Sequence, residues 1–68
     1  MKSIGNKIRQ LRKDAKYTQT QLADMLSTSQ DTVSIWELDK ALPDIESLIK
    51  LCKIFDVSAD YILGLSEI

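Results

Sequence analysis

No histidine occurs in this chain, and Cys52 is its only cysteine. A lone thiol makes no internal disulfide. Without imidazole there is neither an ordinary zinc site nor a base to activate that thiol as a nucleophile. Neither a metal nor a cofactor is expected, a reducing intracellular setting fits best, and Cys52 reads as a small core residue. Glycine and proline are almost as scarce: Gly5, Gly64 and Pro43 are the full set. With 44% apolar residues, that scarcity favours a compact, mostly helical chain over a disordered one. No apolar run approaches the roughly 18–20 residues of a membrane span, and no signal-like segment follows Met1 and Lys2. The expectation is a soluble, cytoplasmic domain with no membrane contact and no evident small-molecule ligand. No paired-carboxylate cleft can be assembled for acid–base work, so an enzyme is not expected.

Net charge is missing as well. The formal balance of −1 argues at first sight against nucleic acid, because domains that bind it are usually basic. The distribution partly answers that objection. Residues 1–20 sum to +5 and residues 21–68 to −6, which gives one positive face on an acidic body. A merely solvated basic helix would explain the same counts.

What the chain does have is helical periodicity, without strand-like alternation, internal repeats or low-complexity segments. Its 68 residues make one domain near the lower size limit for an unaided core. Ile4, Ile8, Leu11 and Ala15 form one apolar stripe, predicting a first helix from Ile4 to about Lys16. Gly5 is a weak point in it, costing roughly 1 kcal/mol against Ala, and is a candidate for the true start. Tyr17 closes the turn. Thr18 and Gln21 form a capping-box pattern ahead of a helix over Gln19–Leu26, and Ser27, Thr28 and Ser29 suit a tight turn. A third helix is expected from near Ser29 to Glu37. Leu22, Ala23, Leu26, Val33 and Trp36 are the apolar positions of this pair. Ala23 is small where two helices crossing at about 90–120° would touch. Beyond a loop ended by Pro43 and the cap candidate Asp44, a fourth helix should cover Ile45–Phe55, with Ile45, Leu48, Ile49, Cys52 and Phe55 as its stripe. Ser58 would cap a fifth short helix stopped by Gly64, with Val57, Ile62 and Leu63 returning to the core and residues 65–68 as a tail. The expected core is Ile8, Leu11, Leu22, Ala23, Leu26, Val33, Trp36, Leu48, Cys52, Phe55 and Ile62. Trp36, at its spacing from Val33, reads as core and not as a stacking platform.

The ordered set Thr18-Gln19, Leu22-Ala23, Leu26, Ser29, Thr32-Val33-Ser34 and Trp36-Glu37 resembles the helix-turn-helix of Cro/CI-type (Xre family) regulators. The resemblance runs from Ile4-Gly5 to Tyr61-Ile62-Leu63-Gly64. It implies an all-α, compact five-helix bundle of the lambda-repressor-like type, with the helix-turn-helix at about residues 18–38. It also implies sequence-specific binding of double-stranded DNA by a bacterial or phage transcriptional regulator, a repressor acting as a homodimer on a palindromic operator. Two positions depart from the family pattern: Ser27 stands where glycine is usual, and Leu38-Asp39 where Asn-Gly is usual. Both are places where a left-handed backbone is wanted.

On this reading Ser29–Glu37 is the helix that enters the major groove. Gln30, Asp31, Ser34 and Ile35 are the expected base readers. Gln30 can pair both its amide N–H and its carbonyl with an adenine edge, Asp31 can accept from cytosine, and Ile35 offers an apolar surface to a thymine methyl. The competing explanation is that Gln30 and Asp31 simply suit a helix first turn. Gln19, at a helix start, is the leading phosphate contact, with Thr18, Ser29, Thr32, Ser34 and Lys40 behind it. Capping is the primary role expected of Thr18. The resemblance further implies an ion pair between Arg12 and Glu37 that ties two helices, against a solvated Arg12 that contacts phosphate. The dimer surface is expected on the last two helices, around Phe55, Tyr61, Leu65 and Ile68. The rival to the whole reading is a protein-interaction module, antitoxin-like or a repressor fold whose DNA surface has decayed, supported by the acidic balance and by Asp31.

Overall fold

A computed structural model of the chain describes residues 3–65. Five helices follow in order, α1 (Ile4–Asp14), α2 (Gln19–Met25), α3 (Gln30–Glu37), α4 (Ile45–Phe55) and α5 (Ala59–Leu63), with no strand among the described residues. α3 packs against both α1 and α2, and α5 closes the other side against α1 and α4. The principal extents are 28 × 23 × 22 Å.

Each helix begins where a short polar side chain can take over an orphan N–H. The hydroxyls of Ser3, Ser29 and Ser58 accept from the amides of Asn6, Thr32 and Tyr61, and Thr18 with Gln21 completes a reciprocal capping box. Asp44 occupies the same position on α4 without a side-chain cap bond. The helix ends are equally uniform. Lys16, Ser27, Asp39, Asp56 and Gly64 are all left-handed, with φ between 54° and 79°. The residue after each donates back to a carbonyl five residues earlier, as Tyr17 does to Arg12, Thr28 to Ala23 and Lys40 to Ile35. This is the Schellman pattern, here built four times out of five without glycine. Lys16, expected as helical, is therefore the residue that ends α1. Leu65, expected in the tail, donates to Asp60 at 2.8 Å and closes α5. Residues 66–68 of that expected tail lie outside the described residues.

The core consists of Ile8, Leu22, Ala23, Leu26, Val33, Trp36, Leu51 and Ile62, with Ile4, Leu11, Leu48, Cys52, Ile54, Phe55 and Val57 packed partly buried against it. Leu51 is a correction. The expected α4 stripe ran through Ile45 and Ile49, yet these are 78% and 50% exposed while Leu51 is fully buried. The sets 45, 48, 49, 52 and 48, 51, 52, 55 both have helical spacing and differ by a three-residue rotation, so periodicity alone does not choose between them. Packing on α5 does. Ala15 and Leu63 are likewise exposed, because the first has become the C-cap of α1 and the second sits in the last turn of a five-residue helix.

Gly5 is inside α1, not at its edge, and it is buried. Its N–H donates to Asp39 Oδ1 at 3.0 Å. A Cβ there would overlap the Trp36 carbonyl oxygen and stand 2.7 Å from Asp39 Oδ1 and 3.0 Å from the Glu37 carbonyl. The first turn of α1 thus rests directly on the last carbonyls of α3, positive helix end against negative. The residue that looks like a helix defect is what allows this approach.

Candidate nucleic-acid interface

The site is set by how α3 is held. Val33 and Trp36 are buried on its inner side, which leaves Gln30, Asp31 and Ile35 exposed and Thr32 and Ser34 half-buried. At its far end Glu37 is 8% exposed despite its charge. A buried carboxylate needs partners, and it has three donors. Arg12 Nε reaches Oε2 at 2.7 Å, Arg12 Nη2 reaches Oε1 at 3.0 Å, and Gln19 Nε2 reaches Oε1 at 3.0 Å. The third arm of Arg12 donates to the Tyr17 carbonyl at 2.9 Å. The hydrogen bond to Glu37 is the main cause holding the Arg12 guanidinium above its already high ordinary pKa, with burial opposing it. Arg12 is consequently a structural cation, joining α1 to α3 and to the turn before α2.

Gln19 and Gln30, expected as a phosphate contact and a base reader, are linked. Gln30 Nε2 donates to Gln19 Oε1 at 2.6 Å, so a chain of bonds runs from Arg12 through Glu37 and Gln19 to Gln30. One N–H and the carbonyl oxygen of Gln30 remain open, the two groups an adenine edge requires. The sequence holds only a faint signal of this link: two glutamines, each in the first turn of one helix of the pair. The hydroxyls expected at phosphates are mostly engaged in caps. Thr18 Oγ1 accepts from Gln21, and Ser29 and Thr32 lie 2.8 Å apart in a mutual hydrogen bond. Accepting a cap bond leaves the Thr18 hydroxyl proton free to donate, and the Ser29–Thr32 pair keeps one donor. Lys40 is exposed just past the left-handed Asp39, whose side chain is fixed by Gly5.

Between α1, the start of α2 and the second half of α3 lies a groove of about 190 Å³, lined by Arg9, Arg12, Gln19, Ser34, Glu37 and Leu38. Sequence reasoning gave Arg9 no role in the site. The signal available was its three-residue spacing from Arg12 on one helix face. Among the described residues there is no group of three or more His, Cys, Asp or Glu side chains able to hold a metal, and no helix is long and apolar enough to cross a membrane.

A family model described as "Helix-turn-helix" matches residues 8–62. Among curated proteins, the chain is 36% identical over 66 residues to the HTH-type transcriptional regulator ImmR of Bacillus subtilis, covering 97% of this chain and 52% of that protein. It is 40% identical over 65 residues to the HTH-type transcriptional activator BcrR of Enterococcus faecalis, covering 96% of this chain and 32% of that one. The chain thus spans about half or less of the length of these relatives. Among solved structures, the phage P22 c2 repressor in complex with a synthetic operator superposes with a TM-score of 0.90 at 33% identity, covering 97% of this chain and 100% of that one.

Proposed function

The chain belongs to the helix-turn-helix family of transcriptional regulators, and from that premise we propose that it binds duplex DNA sequence-specifically through α3 and represses transcription as a homodimer on a palindromic operator. The observation that carries the reading is the outward edge of α3. Gln30, Asp31 and Ile35 are exposed together on a helix whose inner face and far end are locked into the core. Gln30 reads adenine with its open N–H and carbonyl, Asp31 accepts from cytosine, Ile35 meets a thymine methyl, and Ser34 lies at the flank. Gln19, Thr18, the Ser29–Thr32 pair and Lys40 fix register on phosphates. Its place of action is the cytoplasm, where that DNA lies. Repression is the sense read here by likeness to the P22 c2 repressor; a reporter activated by the chain would reverse it.

Size supports the dimer. A body 28 Å in its longest extent cannot read both halves of a site whose centres are about 34–36 Å apart. Of the surface expected to pair, Leu65 is 75% exposed. Phe55 instead packs on the core and against Tyr17, with ring centroids 6.5 Å apart. Lys7 Nζ sits 4.3 Å from the centroid of the Tyr61 ring, and Ile68 lies outside the described residues. Ile45, Ile49 and Leu63 are exposed on the same two helices and take the place of Phe55 in the proposed surface.

Selection from a random duplex pool at near-physiological salt tests the reading. A palindromic motif is expected, and Gln30→Ala should lose roughly 1–3 kcal/mol on it and relax one base pair. The interaction-module reading draws on the −6 balance of residues 21–68. Recovery of no motif by folded protein, with Gln30→Ala unchanged in every assay, would establish that reading instead.

A further inference from the structure

We propose that the buried carboxylate of Glu37 is a positioning residue for base recognition: acting through Gln19, it sets the direction in which Gln30 presents its amide. The proposal deepens the DNA reading above and rests on it for the base that Gln30 meets. Direction is fixed at the inner end. Arg12 donates to Glu37 with both Nε and Nη2, and the two side chains are only 11% and 4% exposed. An ionised carboxylate accepts hydrogen bonds and never donates them. The end of the Gln19 amide that meets Glu37 Oε1, at 3.0 Å, is therefore its nitrogen. The Gln19 carbonyl oxygen is left turned to Gln30, and a carbonyl also only accepts. Gln30 must answer with its own N–H, which it does at 2.6 Å. A glutamine amide alone could sit either way round, since its two ends have nearly the same shape. Tied to the carboxylate, neither amide can turn over without setting two donors or two acceptors against each other. Gln30 consequently offers its open N–H and carbonyl in one order. An adenine edge, an acceptor beside a donor, matches only one order. Glu37 closes α3 and Gln30 opens it, and Gln19 on α2 bridges them.

The test reads base discrimination, not affinity. Duplexes carrying each of the four base pairs at the position that Gln30→Ala relaxes give the reference ratio for the full chain. Arg12→Met with Glu37→Leu removes the anchor as a pair and leaves Gln19 and Gln30 in place. Preference for adenine at that position should fall by about 3–10-fold, as for half of a two-bond contact, with the other positions of the site unchanged. Adding Gln19→Glu to the double variant puts an acceptor-only group beside Gln30. It should restore the preference even as overall affinity drops, because a carboxylate repels phosphate. A preference that survives the double variant overturns the proposal. So does a loss spread evenly over every position, which is what a purely structural anchor would give. Should urea unfolding show that the double variant does not fold, Glu37→Gln replaces it. An amide there carries a donor as well as an acceptor and imposes no direction, so the same single-position loss is expected. A second readout needs no DNA. In the free chain Gln19 and Gln30 should each show one side-chain N–H proton protected from exchange, and the Gln30 protection should fall in whichever of these Glu37 variants folds. If the chain selects no sequence, or Gln30→Ala relaxes no pair, the DNA reading fails and exchange alone decides whether Glu37 directs Gln30. Protection at both that falls in the variant supports it; an unprotected Gln19 or an unaltered Gln30 refutes it.

Discussion

Glu37 accepts from Arg12 twice and from Gln19 once, at a position with 8% exposure. Removing one member of such a pair leaves a buried charge with nothing to match it, so Glu37→Ala should cost about 3–5 kcal/mol. Replacing both partners by apolar side chains of similar volume, Arg12→Met with Glu37→Leu, should cost far less. Urea denaturation of the two proteins settles the comparison; equal losses would mean the pair is not electrostatically isolated. Gly5 gives the sharper test, because two principles predict opposite signs. Helix propensity says Gly5→Ala stabilises by roughly 1 kcal/mol. The carbonyls of Trp36 and Glu37 say it destabilises, by about 2 kcal/mol or more, since backbone and not a flexible side chain must move. A lower melting temperature is expected for Gly5→Ala. At this scale the pairing of Arg12 with Glu37 was legible only through the family resemblance, which left a phosphate-contacting Arg12 as the alternative that the geometry now replaces. Pairing was illegible for Gly5 and Asp39, which are 34 residues apart and meet only once the helices cross.

Helix starts were legible at the next scale where a cap was recognised, because caps are local: Thr18 and Ser58 each satisfy an amide three residues on, as do Ser3 and Ser29, which the sequence did not single out as caps. The phase of α4 was not legible, since seven of its eleven residues are apolar and two stripes compete. Leu51→Ala should therefore cost about 2–5 kcal/mol, and Ile49→Ala close to nothing, in the same denaturation assay. Similar losses for both would place the rotation of α4 in error. The left-handed Ser27 was readable as a departure from the family pattern, and the structure keeps the backbone while changing the residue. Ser27→Gly should raise stability by about 0.5–1 kcal/mol, relief of the Cβ clash minus the extra freedom of the unfolded chain. At the start of α4, Asp44 is held below its ordinary pKa of 3.8 first by the Ser47 side chain, although no capping bond is formed. A depressed carboxylate contributes stability that is present above its unfolded pKa and lost as pH falls through the folded one. The melting temperature of Asp44→Asn should accordingly drop less than that of the unmodified chain on going from about pH 5 to about pH 2.5.

For the molecule as a whole, a short chain with eight buried apolar side chains among its described residues has little stability to spare. The dimer is proposed to assemble on the operator, where two protomers together span what one cannot. Sedimentation at high micromolar concentration with operator should show a two-protomer complex; a single protomer per operator would remove the dimer from the proposal. Five helices without a strand were legible from the spacing of the apolar residues, whereas their arrangement was legible only through the family resemblance. The interface was only half legible. The outward edge of α3 could be read from which of its residues face inward. The groove beside it could not, because its walls come from three segments that meet only in the folded chain.

The contact of Gly5 with the end of α3 also makes a built-in gauge. No side chain intervenes between the first turn of α1 and the carbonyls of Trp36 and Glu37, so the two helices meet as a rigid joint without a cushion. Whatever displaces α3 along its axis must stretch or shorten the bond from the Gly5 amide to Asp39. The Gly5 proton resonance and its exchange rate thus report the seating of the end of α3 on α1.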